Sequence, residues 1–188
     1  MGMYKYLREL WNRPRDSSEH KALIIELRRE PATLRVEKPT RLDRARSVGY
    51  RAKQGVLVVR QRVSAGGHRT GKPAGGRKTK RATPRVALTK NHQQIAEERA
   101  GRKYPNCEVL NSYLLASDSK THWYEVILVD RVHPAVVADE QLKAIAKQRG
   151  RAQRGMTSAA RKSRGLRGKG KGFEKSRPSK AANKGRTN

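Results

Sequence analysis

Between Asp43 and Glu97 the chain has no acidic residue, while positions 44–96 hold 14 Lys and Arg. A stretch of 53 residues without a carboxylate cannot neutralise itself, so its cations must answer to acids elsewhere in the chain or to an outside partner. Its densest part, Arg62 to Arg85, reads RVSAGGHRTGKPAGGRKTKRATPR. With so few large apolar side chains it cannot offset the entropy of ordering its backbone, which predicts a loop shaped only by contact with a polyanion.

The same chemistry returns in the tail. Positions 141–188 hold 16 Lys and Arg against one acid, Glu174, whereas positions 97–140 hold five Lys and Arg against eight acids. The formal net charge of +29 is therefore segregated along the chain rather than spread over it. Segregated positive charge is the electrostatic footprint of a nucleic-acid partner.

A hydrophobic fraction of 35%, with one Phe, two Trp and six Tyr, supplies anchors for a core built from about half of the 188 residues. The one cysteine, Cys107, rules out an internal disulfide and a multi-Cys zinc site and points to a reducing compartment. No apolar run approaches the roughly 20 residues of a membrane span, and the N-terminus lacks the apolar core of a signal peptide. These features predict a soluble intracellular protein that does not engage a membrane.

Tyr4, Leu7 and Trp11 have the spacing of a short amphipathic helix, which Pro14 stops. A second helix is expected to start at Asp16, with Glu19 completing a capping box, to carry Leu23, Ile24 and Leu27, and to end before Pro31. Thr33–Glu37 reads as a brief extended piece, and Pro39 and Thr40 as the opening of a helical turn with Asp43 as the reciprocal cap. The β-branched run from Gly55 to Val63 predicts a strand with Arg60 and Arg62 on one side, pointing toward the Gly-rich loop.

Asn91 and Gln94 suit the start of a helix that runs to Gly101. Glu108–Ser117 and Thr121–Arg131, separated by Asp118, Ser119 and Lys120, predict a β-hairpin. In its second strand Trp123, Ile127 and Val129 face one way and Tyr124, Val126 and Leu128 the other, so that strand should be central and covered on both sides. Asp139 caps a last expected helix through Leu142 and Ile145 to Gly150. Together these elements predict an α+β fold, a small, mostly antiparallel sheet flanked by helices, with a long basic loop and a C-terminal extension. The expected organisation is an N-terminal helical segment over 1–38, the α+β core over 39–150 with the basic loop at 62–85, and the basic extension over 151–188.

Several motifs stand together in a known order. Lys38-Pro39-Thr40-Arg41-Leu42-Asp43 is followed by Ala45-Arg46-Ser47, Gly49-Tyr50 and Ala52-Lys53-Gln54-Gly55. Then come Tyr104-Pro105-Asn106, Val109-Leu110-Asn111-Ser112-Tyr113, the strand Tyr124–Asp130 and the tail RGLRGKGKG from Arg164 to Gly172. The set resembles the eL-fifteen family of large-subunit ribosomal proteins of archaea and eukaryotes, over most of the chain. Where that pattern has Pro after the Val-Asp pair, this chain has Arg131. The resemblance implies a small sheet flanked by helices and a structural place in the large ribosomal subunit, with large-subunit rRNA and neighbouring ribosomal proteins as partners and the cytoplasmic ribosome as location.

The Gly-rich loop also invites a phosphate-loop reading. Gly66 and Gly71 have that spacing, but Pro73 stands where Ser or Thr would hold magnesium; with Gly71 and Gly76, Arg77 replaces the Lys. Backbone contact with structured RNA fits the loop better, because glycine lets the main chain approach closely while Arg and Lys neutralise phosphates. The tail repeats the pattern with Phe173 as its one aromatic, available to stack or wedge. The expected rRNA-binding residues are Arg44, Arg46, Arg51, Lys53, Arg60 and Arg62; His68, Arg69, Lys72, Arg77, Lys78, Lys80, Arg81 and Arg85; and Arg151, Arg154, Arg161, Arg164, Arg167, Lys169 and Lys171.

Tyr50 and Tyr113 read as core or sheet residues rather than stacking platforms. The five histidines, His20, His68, His92, His122 and His133, show no metal-ligand spacing with one another or with Cys107. No acid pair, nucleophile or metal set emerges, so neither a catalytic residue, a cofactor nor a small-molecule substrate is expected. A DNA-compacting chromatin-type protein would share the charge, but it should also bring repeats, a dimerisation helix or minor-groove wedges.

Overall fold

The computed structural model describes residues 2–12, 17–67, 75–76, 89–179 and 182. In chain order the elements are α1 (Met3–Leu10), α2 (Ser18–Arg29), β1 (Thr33–Val36), α3 (Leu42–Ser47), β2 (Val56–Ser64), α4 (His92–Lys103), β3 (Cys107–Ser117), β4 (Thr121–Asp130), α5 (Pro134–Val137), α6 (Glu140–Ala146), α7 (Ser158–Ser163) and a 3-10 turn at Glu174–Ser176. The four strands form one antiparallel sheet in the order β1-β2-β4-β3. This is the α+β architecture expected from the sequence.

β4 lies between β2 and β3, and its period-2 alternation sends side chains to two separate covers. Tyr124, Val126 and Leu128 pack with Ala96 and Ala100 of α4 and with Ala152. On the other face Trp123 packs against Leu27 of α2 and donates its indole N–H to Leu27 O at 3.2 Å. Further along the same face, Val129 meets Val136, Leu142 and Ala146 of α5 and α6. Val126, Ile127, Leu128 and Val129 are all fully buried, worth roughly 1.5–3 kcal/mol for each such side chain.

The β3–β4 hairpin turns on Asp118, whose Oδ1 accepts the Lys120 and Thr121 amides at 2.8 and 2.6 Å. Two irregularities, between Val109 and Asn111 and between Leu114 and Ala116, break the β3 register. Leu110 thereby reaches the α5–α6 cluster, and Leu115 joins Trp123 against α2.

Several local expectations change. α2 is capped by Ser17, whose hydroxyl accepts the His20 amide; Asp16 lies outside the described residues. Thr40 does not cap α3 with Asp43, because its amide and hydroxyl both go to Glu125. α4 does begin at Asn91, but it runs through Gly101 to Lys103. There a side chain at Gly101 would press on Gln153 and Val109, so that glycine serves helix packing rather than helix termination. α6 ends at Ala146, before Gly150. At Arg131, the position without Pro, the guanidinium Nε donates to Ala146 O at 3.1 Å and so tethers the turn after β4 to the end of α6.

The largest difference concerns the C-terminal extension. Its first part is not a free arm, since Ala152, Thr157, Ala159 and Ala160 are buried. α7 is capped by Thr157, whose hydroxyl accepts the Ala160 amide and donates to the buried Glu97 carboxylate of α4. In the N-terminal segment, β1 pairs with β2 from Thr33↔Gln61 to Val36↔Val58.

Candidate nucleic-acid interface

The expected binding residues divide by what their charged groups touch. Arg60 is 8% exposed and sits among acids, paired with Glu30 and 3.4 Å from Glu125 Oε1, with Nη2 donating to Thr40 Oγ1 at 2.8 Å. Glu125, fully buried on β4, also accepts from Tyr113 OH. Burial first, and then the adjacent Glu125 charge, push the Tyr113 phenol far up, so it serves as a permanent donor. Arg60 is therefore a core ion-pair residue, with its guanidinium engaged by Glu30, Thr40 and Glu125.

Arg62 shares that side of β2, as the alternation requires, but it points to the C-terminal end of α2. Its Nη1 donates to the Arg28 and Glu30 carbonyls at 3.3 and 3.5 Å, where the helix has unsatisfied acceptors. Most of the Gly-rich loop, toward which Arg62 was expected to point, lies outside the described residues. Arg151 is also turned inward, with Nη1 on Val109 O at 2.7 Å, while the Gly150 and Arg151 amides bind the Glu108 carboxylate at 2.7 and 3.1 Å. That carboxylate fastens the start of the extension to β3.

Arg51 and Lys53 each reach Asp139 Oδ2 at 2.7 Å. The Lys53 hydrogen bond, then the Gln141 and Leu142 amides and the Arg51 charge, hold the Asp139 carboxyl at about 2, against the opposing effect of burial. Both cations remain 39% and 47% exposed, so each keeps donors turned outward.

Arg44 and Arg46 project from α3 and are exposed. Arg46 lies 5.5 Å from the Tyr4 ring of α1. Arg44 lines a cleft of about 320 Å³ with Arg8, Arg41, Asp43, Ser47 and Leu114, a cationic recess to which the sequence reading assigned only Arg44. Arg8 went unnoticed because it stands in a short helix, MYKYLREL, with only Lys5 and Arg8 against Glu9, far from either basic block.

In the tail, Arg154 and Arg164 are exposed and each spends one group on a local carbonyl, Arg149 O at 2.8 Å and Gly155 O at 3.2 Å. Arg161, Arg167, Lys169 and Lys171 are exposed and have no side-chain acceptor among the described residues. Lys162, missed beside Arg161, is likewise exposed on α7. His68, Arg69, Lys72, Arg77, Lys78, Lys80, Arg81 and Arg85 lie outside the described residues.

Histidine spacing in the sequence concealed one contact. The β2–β4 pairing and α4 bring the His92 and His122 rings to 5.0 Å, with His92 Nε2 2.9 Å from Gly66 O at the mouth of the basic loop. Burial, then the neighbouring His92, lower the His122 pKa. Among the described residues no three or more His, Cys, Asp or Glu side chains gather as a metal site, and no helix is long and apolar enough to cross a membrane.

What decides the family is agreement along nearly the whole chain. The family model described as Ribosomal L15 matches residues 2–183. The chain belongs to this ribosomal-protein family. The large ribosomal subunit protein eL15 of Methanospirillum hungatei is 51% identical over 191 residues, spanning 98% of this chain and 97% of the relative. The protein of the same name from Methanocorpusculum labreanum is 50% identical over 186 residues, spanning 97% and 96%. Membership of the Ribosomal L15 family fits a chain whose carboxylates brace its interior while Arg161, Lys162, Arg167, Lys169 and Lys171 stand exposed.

Proposed function

We propose that this chain is a structural constituent of the large ribosomal subunit in the cytoplasm, without enzymatic activity, and that it binds folded rRNA through the phosphate backbone. The observation that carries the reading is the division of charge. Glu30, Asp43, Glu97, Glu98, Glu108, Glu125 and Asp139 all bind groups of the chain itself, whereas Arg161, Lys162, Arg167, Lys169 and Lys171 stand exposed without an acceptor among the described residues.

Bringing RNA helices together costs phosphate repulsion, and interleaved cations relieve it while releasing condensed counterions. Recognition rests on shape and backbone, because the base edges of A-form helices are poorly accessible. The binding set consists of Arg44, Arg46, Arg154, Arg161, Arg164, Arg167, Lys169 and Lys171, with Arg8 and Lys162 added. Arg51 and Lys53 contribute their outward donors, and the loop from His68 to Arg85 extends the same chemistry. Neighbouring ribosomal proteins meet the N-terminal helices, where Met3, Tyr6 and Leu10 are exposed.

Sedimentation of cell extract in low salt tests the reading. The chain should travel with large ribosomal subunits; recovery as free protein, or with chromosomal DNA, overturns it.

A further inference from the structure

The tail beyond α7 doubles back on itself. Gly168 N–H donates to Gly165 O at 3.3 Å, Phe173 N–H to Gly170 O at 3.4 Å and Ser176 N–H to Phe173 O at 3.1 Å. Glu174, the one acid of this region, accepts the Gly172 amide at 2.7 Å and so is used within the turn. The fold brings the Phe173 ring onto Gly168. A Cβ at Gly168 would fall 2.1 Å from Cδ1, 2.2 Å from Cε1 and 2.4 Å from Cγ of that ring, so only glycine permits this seat. At Gly165 the returning chain is also close, with Ser176 Oγ 3.0 Å from where a Cβ would stand.

The seat fixes the ring without hiding it. Phe173 is 40% exposed, and Arg167, Lys169, Lys171 and Lys175, which flank it in the sequence, are all exposed. A part-exposed aromatic in a segment that carries four exposed cations suits a ligand with both a flat π system and negative charge. A protein surface offers that pairing rarely, and single-stranded nucleic acid offers it at every nucleotide.

We propose that Phe173, seated on Gly168, is a stacking site for an unpaired RNA nucleobase, with the flanking cations on the adjacent phosphates. This deepens the RNA-binding reading and rests on it. Stacking tolerates any base, because every base has a π face, and it carries no counterion release, so it adds affinity without adding to the salt dependence.

The test measures the dissociation constant for in-vitro transcribed large-subunit rRNA against salt, for the full-length chain and three variants. Phe173→Ala should weaken binding about tenfold at every salt concentration with an unchanged slope, and Phe173→Tyr should stay within about twofold of the parent. Gly168→Ala, which removes no ring and no charge, should reproduce the loss by unseating Phe173. Parent-like binding by Phe173→Ala overturns the proposal and points the ring at a protein neighbour. Loss in Phe173→Ala without loss in Gly168→Ala overturns the seat. A flat salt dependence of the parent chain would instead overturn the RNA-binding reading beneath it.

Discussion

Arg60 and Asp139 show why single residues are the hardest part of a basic sequence to interpret. Both Arg60 and Arg161 stand in acid-poor text, yet Arg60 meets carboxylates 30 and 65 positions away, whereas Arg161 meets none among the described residues. Composition marks which stretches are cationic, but only tertiary placement shows which cations are used internally. Removing one partner of a buried pair leaves the other charge uncompensated, so Arg60→Ala should destabilise the fold by about 3–5 kcal/mol in urea denaturation. Its slope of log K for rRNA against log salt should match the parent, because the Arg60 guanidinium is engaged by Glu30 and Glu125. Asp139 makes a pH prediction. Its folded pKa of about 2 lies below the ordinary 3.8, so its contribution to stability is complete above pH 4 and is lost as pH falls toward 2. In Asp139→Asn, the fall in urea midpoint between pH 5 and pH 2 should be smaller than in the parent.

At the scale of elements, the hairpin of β3 and β4, the two-sided cover of β4 and the Asn91 cap of α4 were all legible, because alternation and capping are local signals. α7 was not. Its six residues, SAARKS, have no large apolar side chain, and they pack by placing small alanines against the sheet domain, which leaves no hydrophobic stripe to read. The buried Glu97 was equally hidden, since its hydroxyl partners Ser112 and Thr157 lie 15 and 60 positions away. Thr157→Ala removes both the α7 cap and a donor to Glu97, and should cost about 1–2 kcal/mol. Amide exchange should then show residues 158–163 losing protection while β4 keeps it. Truncation after Gly150 should lower the melting temperature markedly by uncovering Ala96 and Ala100.

For the whole molecule, the charge segregation was plain in the sequence and remains the feature on which the functional reading turns. If roughly 10 phosphates are neutralised, log K for rRNA against log salt should fall with a slope near −7 to −9. Replacing Lys169 and Lys171 together by Ala should reduce that slope by about 1.4–1.8, since each phosphate contact contributes about 0.7–0.9. The burial of Ala152, Thr157 and Ala160 bears on how the chain comes to be folded at all. These residues follow α4 and every strand in the chain, so α4 and the sheet are made with an open flank that only the later segment closes. Completion of the domain is thereby tied to synthesis of the positively charged segment that follows β4, so the same stretch that carries the exposed cations also closes the core.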